Sequence, residues 1–327
     1  MLFNRWLYRS TIVRKQLTSP RLKAWRLPVG SALAVLAVAY GTYNLTGLRH
    51  ATDELSPLYF IRYKITQHKD IDSCHFLLEL SPLKGQKVNL WSTLKNEFIW
   101  SIEIKQPEIM ITRRYTPLPM RLKGNNVELL SQGDNNDGRL LLYVKEYNTG
   151  ELTRWLSSLP TGHIVEVRGP FVDYQLIESG RYDQINFFTA GTGVTIALQF
   201  LLNKQNDLSC PKVKWFHSCN TIADLGPLTK LMDTHMAENC NIRLQILQSS
   251  LNEDLRSPSM EAFQAIPMFH PLSQNNGILS KRAFSFVCGP EEYIATVAGN
   301  IFYPYQGPIG GILKLKGWPS DNVRKLS

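Results

Sequence analysis

The sequence predicts an all-β antiparallel barrel followed by a parallel α/β domain, both behind a single N-terminal transmembrane helix. Three observations predict it. Short stretches of alternating hydrophobicity, separated by polar turns, fill residues 57–178. From residue 182, continuous apolar runs alternate with helix-like segments. Close to the N-terminus, the 22 residues 27–48 carry no charge. Period-two alternation marks strands with one buried face, and strand–helix alternation marks a parallel sheet covered by helices.

Residues 1–26 are basic, contain Ser10, Thr11, Thr18 and Ser19, and lack acids, which is the composition of a mitochondrial targeting segment. A disordered basic tail is the competing reading. At ~1.5 Å per residue, the run 27–48 is long enough to cross the ~30 Å hydrocarbon core. Pro28 stands near its start, and Tyr40 and Tyr43 suit the interface at its far end. A buried soluble helix is the alternative. Seven basic residues precede the run and only Arg49 closely follows it, so the positive-inside bias sends the body across the membrane. With a mitochondrial leader, this describes a single-pass protein of the inner membrane whose C-terminal body faces the intermembrane space.

The same segment explains the charge. Residues 1–52 hold eight Lys or Arg and no acid; subtracted from the total of +9, they leave +1 for residues 53–327. A nucleic-acid-binding face on the folded body loses its support. The five cysteines are scattered and show no CxxC pair, so no zinc site or disulfide framework follows, and no metal ligands are predicted. A hydrophobic fraction of 43% supplies an ordinary globular core.

In the barrel, strands are expected at 58–66, 74–80, 98–104, 109–116, 127–130, 140–147 and 164–168, with a helix at 152–159. Turns fall at 123–126 and 133–138. In the α/β domain, strands at 184–190, 213–218, 242–247 and 283–288 alternate with helices at 194–203, 228–238 and 291–300. Residues 249–281 read as an irregular surface excursion, and the boundary between the two patterns falls near 176–182.

Four motifs carry chemistry. Arg113-Arg114-Tyr115-Thr116-Pro117 ends a strand. Arg113 and Tyr115 share a face there, so a guanidinium and a ring can grip a phosphorylated planar ligand while Thr116 reaches its edge. Gly150-Glu151-Leu152-Thr153 opens a helix, whose free N–H groups and partial positive charge seat phosphate; an ordinary N-cap is the alternative. Gly191-Thr192-Gly193 joins a buried strand to a helix and lets a ligand approach the backbone. It lacks the third glycine of the full dinucleotide fingerprint, since residue 196 is Ile. Cys288-Gly289-Pro290 closes a late strand, at the sheet end where α/β folds bind ligands.

Together, Arg113-x-Tyr115-Thr116-Pro117, Lys145-x-Tyr147, Gly150-x-Leu152-Thr153, Gly169-Pro170, Gly191-Thr192-Gly193-Val194-Thr195 and Cys288-Gly289-Pro290 resemble the cytochrome b5 reductase group of ferredoxin-reductase-type flavoproteins. The resemblance covers residues 57–327. It implies an FAD-binding barrel at 57–178 and a nicotinamide-dinucleotide-binding α/β domain at 182–327, an enzyme that passes hydride from NADH or NADPH to FAD and electrons singly onward. It assigns Arg113 to the FAD pyrophosphate, Tyr115 to the isoalloxazine, and Thr116 to the flavin's reactive edge. Gly150, Leu152 and Thr153 would hold the pyrophosphate. Gly191, Thr192 and Gly193 would line the nicotinamide cofactor's path, bordered by Cys288, Gly289 and Pro290. Thr116 and Cys288 are then the catalytic candidates. Lys145 is a candidate for dinucleotide phosphates or a snorkelling surface lysine. Asn220 and Asp224 follow the strand at 213–218 without an Arg or Lys cluster, which favours NADH. Leader, span and reductase body together imply a mitochondrial member with a haem-type acceptor. The expected partners are haem or cytochrome c with its maturation lyase, or cytochrome b5 at the outer membrane. A non-catalytic assembly factor on the same fold is the other expectation. Departures from the family are Pro119 for serine, Ile196 for proline, Glu291 and Glu292 for prolines, and a C-terminal tail past the last predicted helix.

Overall fold

The computed structural model describes residues 53–327, except 95–97, 132, 176–181, 204–210, 238–240, 252–254, 256–257, 270–273, 276–277, 280–282, 303–304 and 327. The predicted leader (1–26) and span (27–48) lie outside the described residues. Among the described residues no helix is long and apolar enough to cross a membrane.

Alternation builds the first sheet. In β1 (Ile61–Asp70), Ile61, Tyr63 and Ile65 are buried while Arg62 and Lys64 are exposed. The chain continues through β2 (His75–Pro82), the short helix α1 (Leu90–Thr93), β3 (Phe98–Gln106), β4 (Ile111–Tyr115), the hairpin β5 (Met120–Lys123) and β6 (Asn126–Leu129), β7 (Leu140–Lys145), α2 (Glu151–Ser158) and β8 (Ile164–Gln175). Six of these strands form one antiparallel sheet in the order β4-β3-β8-β1-β2-β7. Tyr63, Ile65, Leu78, Trp100, Ile102, Ile104, Val165 and Val167 fill its concave side. Each fully buried side chain of this size contributes about 1.5–3 kcal/mol of transfer free energy.

The expected barrel is therefore a half-barrel. Its edges, β4 and β7, do not pair as strands; a single antiparallel bridge, Leu118 to Leu141, links them. Pro117 has no N–H and ends β4 before a ladder can form.

The second sheet is wholly parallel. Around it the chain runs through β9 (Gln184–Ala190), α3 (Val194–Asn203), β10 (Lys212–Cys219), α4 (Pro227–Ala237), β11 (Ile242–Gln248), α5 (Met260–Ala265), the two-residue strands β12 (Gln274–Asn275) and β13 (Ile278–Leu279), which pair antiparallel in a ribbon of their own, then β14 (Ala283–Cys288), α6 (Glu291–Ala298), α7 (Gly311–Leu315) and β15 (Val323–Leu326). The order β11-β10-β9-β14-β15 puts β9 at the centre. Its continuous apolar run follows from that place, because Ile185 and Phe187 face one core and Phe188 and Ala190 the other.

Four further expectations are corrected. The strand placed at 109–116 starts later, since Met110 takes a positive φ of 56° in the preceding turn. The strand ended at 168 runs on to Gln175. The span 249–281 contains α5, and the C-terminal tail is not an appendage: it supplies α7 and the fifth parallel strand.

The two sheets share one apolar cluster, in which Leu77, Ile99, Leu118, Leu141 and Tyr143 meet Ile185, Phe187, Ile196 and Phe200. A polar clamp crosses the same junction. Gln199, fully buried on α3, accepts from Trp100 N–H at 3.0 Å and donates from Nε2 to the Trp100 and Pro117 carbonyls at 3.0 and 2.9 Å.

Candidate functional site

A cavity of about 420 Å³ opens between the sheets, within the ordinary range for small-molecule sites. Its lining brings together Arg113, Tyr115, Thr116, Lys145, Gly150, Leu152, Thr153, Thr192, Gly193, Cys288, Gly289 and Pro290. Of the predicted site residues, Gly191 alone is absent from that wall. It lines a neighbouring cavity of about 220 Å³, which shares Tyr143, Lys145, Tyr147 and Pro290 with the first.

The wall from β4 separates the two arginines. Ladder pairing sets Arg113 opposite Ile104 and Arg114 opposite Glu103. Arg114 is spent within the protein: its Nη1 lies 2.9 Å from Asp173 Oδ1, its Nε 3.3 Å from Glu103 Oε1, and its guanidinium lies over the Phe171 ring. Arg113 donates to its neighbour's carbonyl, Thr112 O, at 2.8 Å and has no carboxylate partner among the described residues. An exposed guanidinium without a counter-charge suits an anion. Tyr115 packs against the half-barrel core, and its buried hydroxyl has no hydrogen-bond partner. Burial raises its pKa, against a smaller opposing effect of Arg113. A buried neutral O–H of this kind is costly unless a ligand supplies the partner.

The opposite wall is the start of α2. Gly150 is its N-cap and offers no side chain to the first-turn N–H groups. Thr153 Oγ1 accepts from Tyr147 N–H at 3.2 Å and donates to Gly150 O at 3.0 Å. Its hydroxyl thus closes the loop, and Gly150, Glu151, Leu152 and Thr153 of this turn line the cavity. A Cβ on Gly150 would come within 2.5 Å of Thr153 Oγ1, so the turn closes this tightly only with glycine.

The floor is made by the carboxyl ends of β9 and β14. Thr189 and Cys288 are register partners, so the two glycine turns emerge side by side. They interlock: a Cβ on Gly193 would lie 2.5 Å from the Cys288 carbonyl. Thr195 Oγ1 donates to Thr192 O at 2.9 Å and holds the Gly191–Gly193 turn against α3. Burial, with Asp173 adding to it, pushes the Cys288 thiol up to about 12. Cys288 is therefore a neutral, compact wall at neutral pH. It is expected to stay unmodified by iodoacetamide at pH 8 over a time that fully labels a free thiol of pKa about 8.5; peptide mapping that finds Cys288 labelled as fast as such a thiol would contradict this.

Sequence reasoning missed Gln199, Asp173, Leu326 and His217. Asp173 and Leu326 line the first cavity and His217 the second. Gln199 had a signal, as the one amide within the apolar run 194–202. Asp173 and Leu326 lay on the unforeseen half of β8 and on the unforeseen β15. Asp72, Cys74 and His75 also gather ligand-type atoms within 4.8 Å. Asp72 accepts there from Cys74 N, His75 N and His75 Nδ1 at 2.7–2.8 Å, which makes the group a turn cap between β1 and β2.

Comparison with known proteins shows the family and the fold. Residues 96–175 match the oxidoreductase FAD-binding domain family. The chain belongs to the cytochrome b5 reductase-type family of FAD- and NAD-binding proteins. It is 39% identical, over 97% of both chains, to the cytochrome c mitochondrial import factor of Saccharomyces cerevisiae. It is 26% identical to an NADH-cytochrome b5 reductase 2 of Vanderwaltozyma polyspora, over 58% of this chain and 62% of the relative. Among solved structures, the cytochrome b5 reductase domain of Ulva prolifera nitrate reductase superposes with a TM-score of 0.57 at 17% identity, covering 83% of this chain and 99% of that one. That likeness speaks for the fold.

The residues present fit FAD. A cation without a counter-ion, a buried hydroxyl without a partner and a helix start capped by glycine surround one cavity, and they match a pyrophosphate joined to a planar ring system.

Proposed function

We propose that this chain is a membrane-anchored, FAD-dependent NAD(P)H oxidoreductase that delivers electrons to a haem acceptor during cytochrome c maturation in the mitochondrial intermembrane space. The observation that carries it is the single cavity that joins Arg113, Tyr115 and Thr116 to the Gly150–Thr153 helix start and to the two glycine turns. FAD, when bound, supplies the exchange between a two-electron hydride donor and a one-electron acceptor. Arg113 and the first residues of α2 would hold its phosphates, and Tyr115 and Thr116 would hold its ring system. The neutral Cys288 and the tight Gly193 turn would keep bulk and charge out of the cavity floor. Asp224, on the second cavity, disfavours the extra phosphate of NADPH.

The mitochondrial setting and the acceptor draw on the cytochrome c import factor relative and on the charge pattern of residues 1–52. Cytochrome b5 is the second reading, favoured by the reductase relatives. The test is spectroscopic. The full chain in detergent should purify yellow, bleach on anaerobic addition of NADH, and recover its absorbance with ferric haem faster than with cytochrome b5. A colourless protein that takes up no FAD, or a flavin that NADH never bleaches, refutes the enzyme reading; faster recovery with cytochrome b5 selects the second acceptor.

A further inference from the structure

The second cavity holds a side chain that neither the motifs nor the fold comparison accounts for. His217 sits near the carboxyl end of β10, wholly buried, on the same strand face as Trp215. Its Nδ1 lies 2.9 Å from Thr189 Oγ1, and that same oxygen accepts from Trp215 Nε1–H at 2.7 Å. An indole nitrogen only donates. Thr189 Oγ1 is thus an acceptor toward Trp215, and among the described residues the one acceptor in reach of its own proton is His217 Nδ1. That fixes the tautomer. Nδ1 carries the lone pair, and the ring proton is on Nε2. Burial, against a smaller opposing effect of Asp224, lowers the imidazole pKa to about 4, so the ring is neutral in cells. Nε2 is buried and has no hydrogen-bond partner among the described residues.

His217 lines the cavity of about 220 Å³ together with Gly191, Ser218, Asn220, Asp224 and Lys145. A fully buried N–H without an acceptor is rare and costly in a folded protein. Here the other side of the ring is held by a relay of two fixed groups, which leaves Nε2–H as the one free donor of the trio. Asp224 does not satisfy it. Its Oδ1 accepts from Thr221 Oγ1 at 2.6 Å, and its Oδ2 accepts from the Asn220 and Thr221 N–H groups at 3.2 and 3.3 Å.

We propose that the Trp215–Thr189–His217 relay presents His217 Nε2–H as a specificity donor to an oxygen of the nicotinamide dinucleotide in the second cavity. This rests on the dinucleotide reading of the site given above and adds to it a residue and a proton position. A neutral imidazole donor brings no charge to the cavity, so it suits a sugar hydroxyl or an amide carbonyl and adds no ion pairing toward an extra phosphate.

The test uses the full chain in detergent, reconstituted with FAD, with NAD+ as the probe. In protein labelled with 15N-histidine, His217 should show a neutral ring protonated at Nε2, and that N–H pair should shift on NAD+ addition. His217→Phe keeps the ring and removes the donor. It should raise the Kd for NAD+, measured by calorimetry, about tenfold while FAD content stays at the wild-type level. His217→Gln, which returns an N–H donor, should recover most of that loss. A ring protonated at Nδ1, an N–H pair that NAD+ leaves unmoved, or a His217→Phe variant within twofold of wild type overturns the proposal and leaves the dinucleotide reading standing. Wild-type protein that holds FAD and binds no NAD+ overturns both. The labelled wild type gives its answer even if His217→Phe does not fold.

Discussion

Arg113→Ala is expected to weaken FAD retention by about 2–3 kcal/mol, roughly 30- to 150-fold in dissociation constant. The size follows from what the guanidinium lacks. Its one internal bond goes to a neighbouring carbonyl, and no carboxylate of the described residues neutralises it. A charge-assisted bond to a phosphate is then the main use of its charge, and the alanine variant loses it outright. The adjacent position is the control. Arg114 lies in the same cavity wall, but its charge is committed to Glu103 and Asp173. Arg114→Ala should cost about 1 kcal/mol of stability, because the guanidinium is half exposed and Glu103 keeps Arg168 at 2.7 Å. Its FAD content should remain near wild type. Equilibrium dialysis of both variants against free FAD decides the matter. Equal losses would show that strand parity does not sort the two arginines.

That the two arginines take different partners was legible in the sequence, because side chains one apart on a strand do not share a face, although both line the one cavity. The glycine turns and most strand positions were legible for a similar reason: local rules of backbone freedom and hydrophobic period set them, whereas β5, β15 and the order of strands within each sheet were not read. What escaped depended on partners distant in the chain. Gly169-Pro170 reads as a strand end, yet β8 passes through it. The pair falls at a register shift, between the partners Ser101–Phe171 and Glu103–Arg168, where the ladder asks for no N–H from Pro170. A Cβ on Gly169 would come within 3.2 Å of the Ile102 backbone, a contact no local pattern announces. His217 looked like one more residue of a buried strand. Its meaning depends on Thr189 and Trp215, and on which of its nitrogens they occupy.

Gln199 is the strongest case of a residue whose role is set at a distance, and its replacement should be the most disruptive single change at the junction. One amide serves three backbone groups: Trp100 N–H, Trp100 C=O and Pro117 C=O. All lie in a region without water access, since Gln199 and Trp100 are wholly buried. Gln199→Leu keeps the volume and leaves those three groups unpaired. Each unmet buried group costs about 1–3 kcal/mol, so a loss of roughly 3–5 kcal/mol is expected after partial relaxation. For a body of this size that lowers Tm by roughly 10 °C or more. The effect should not stop at stability. Pro117 directly follows Thr116 and Tyr115, and α3 directly follows the Gly191–Gly193 turn. The clamp thus ties the segment that follows Tyr115 and Thr116 to the helix that follows the Gly191–Gly193 turn, two walls of the same cavity. FAD retention should fall together with Tm, and should recover only in part when the variant is measured well below its own transition. Gln199→Glu is the sharper probe. A carboxylate can still accept from Trp100 N–H but turns a second oxygen toward two carbonyls, so it should be at least as damaging as leucine despite its near-identical shape. Calorimetric scans with FAD titrations measure both effects. A leucine variant as stable as wild type, with its flavin intact, would mean that water or a shifted backbone satisfies those carbonyls and that the apolar cluster alone holds the two sheets in register.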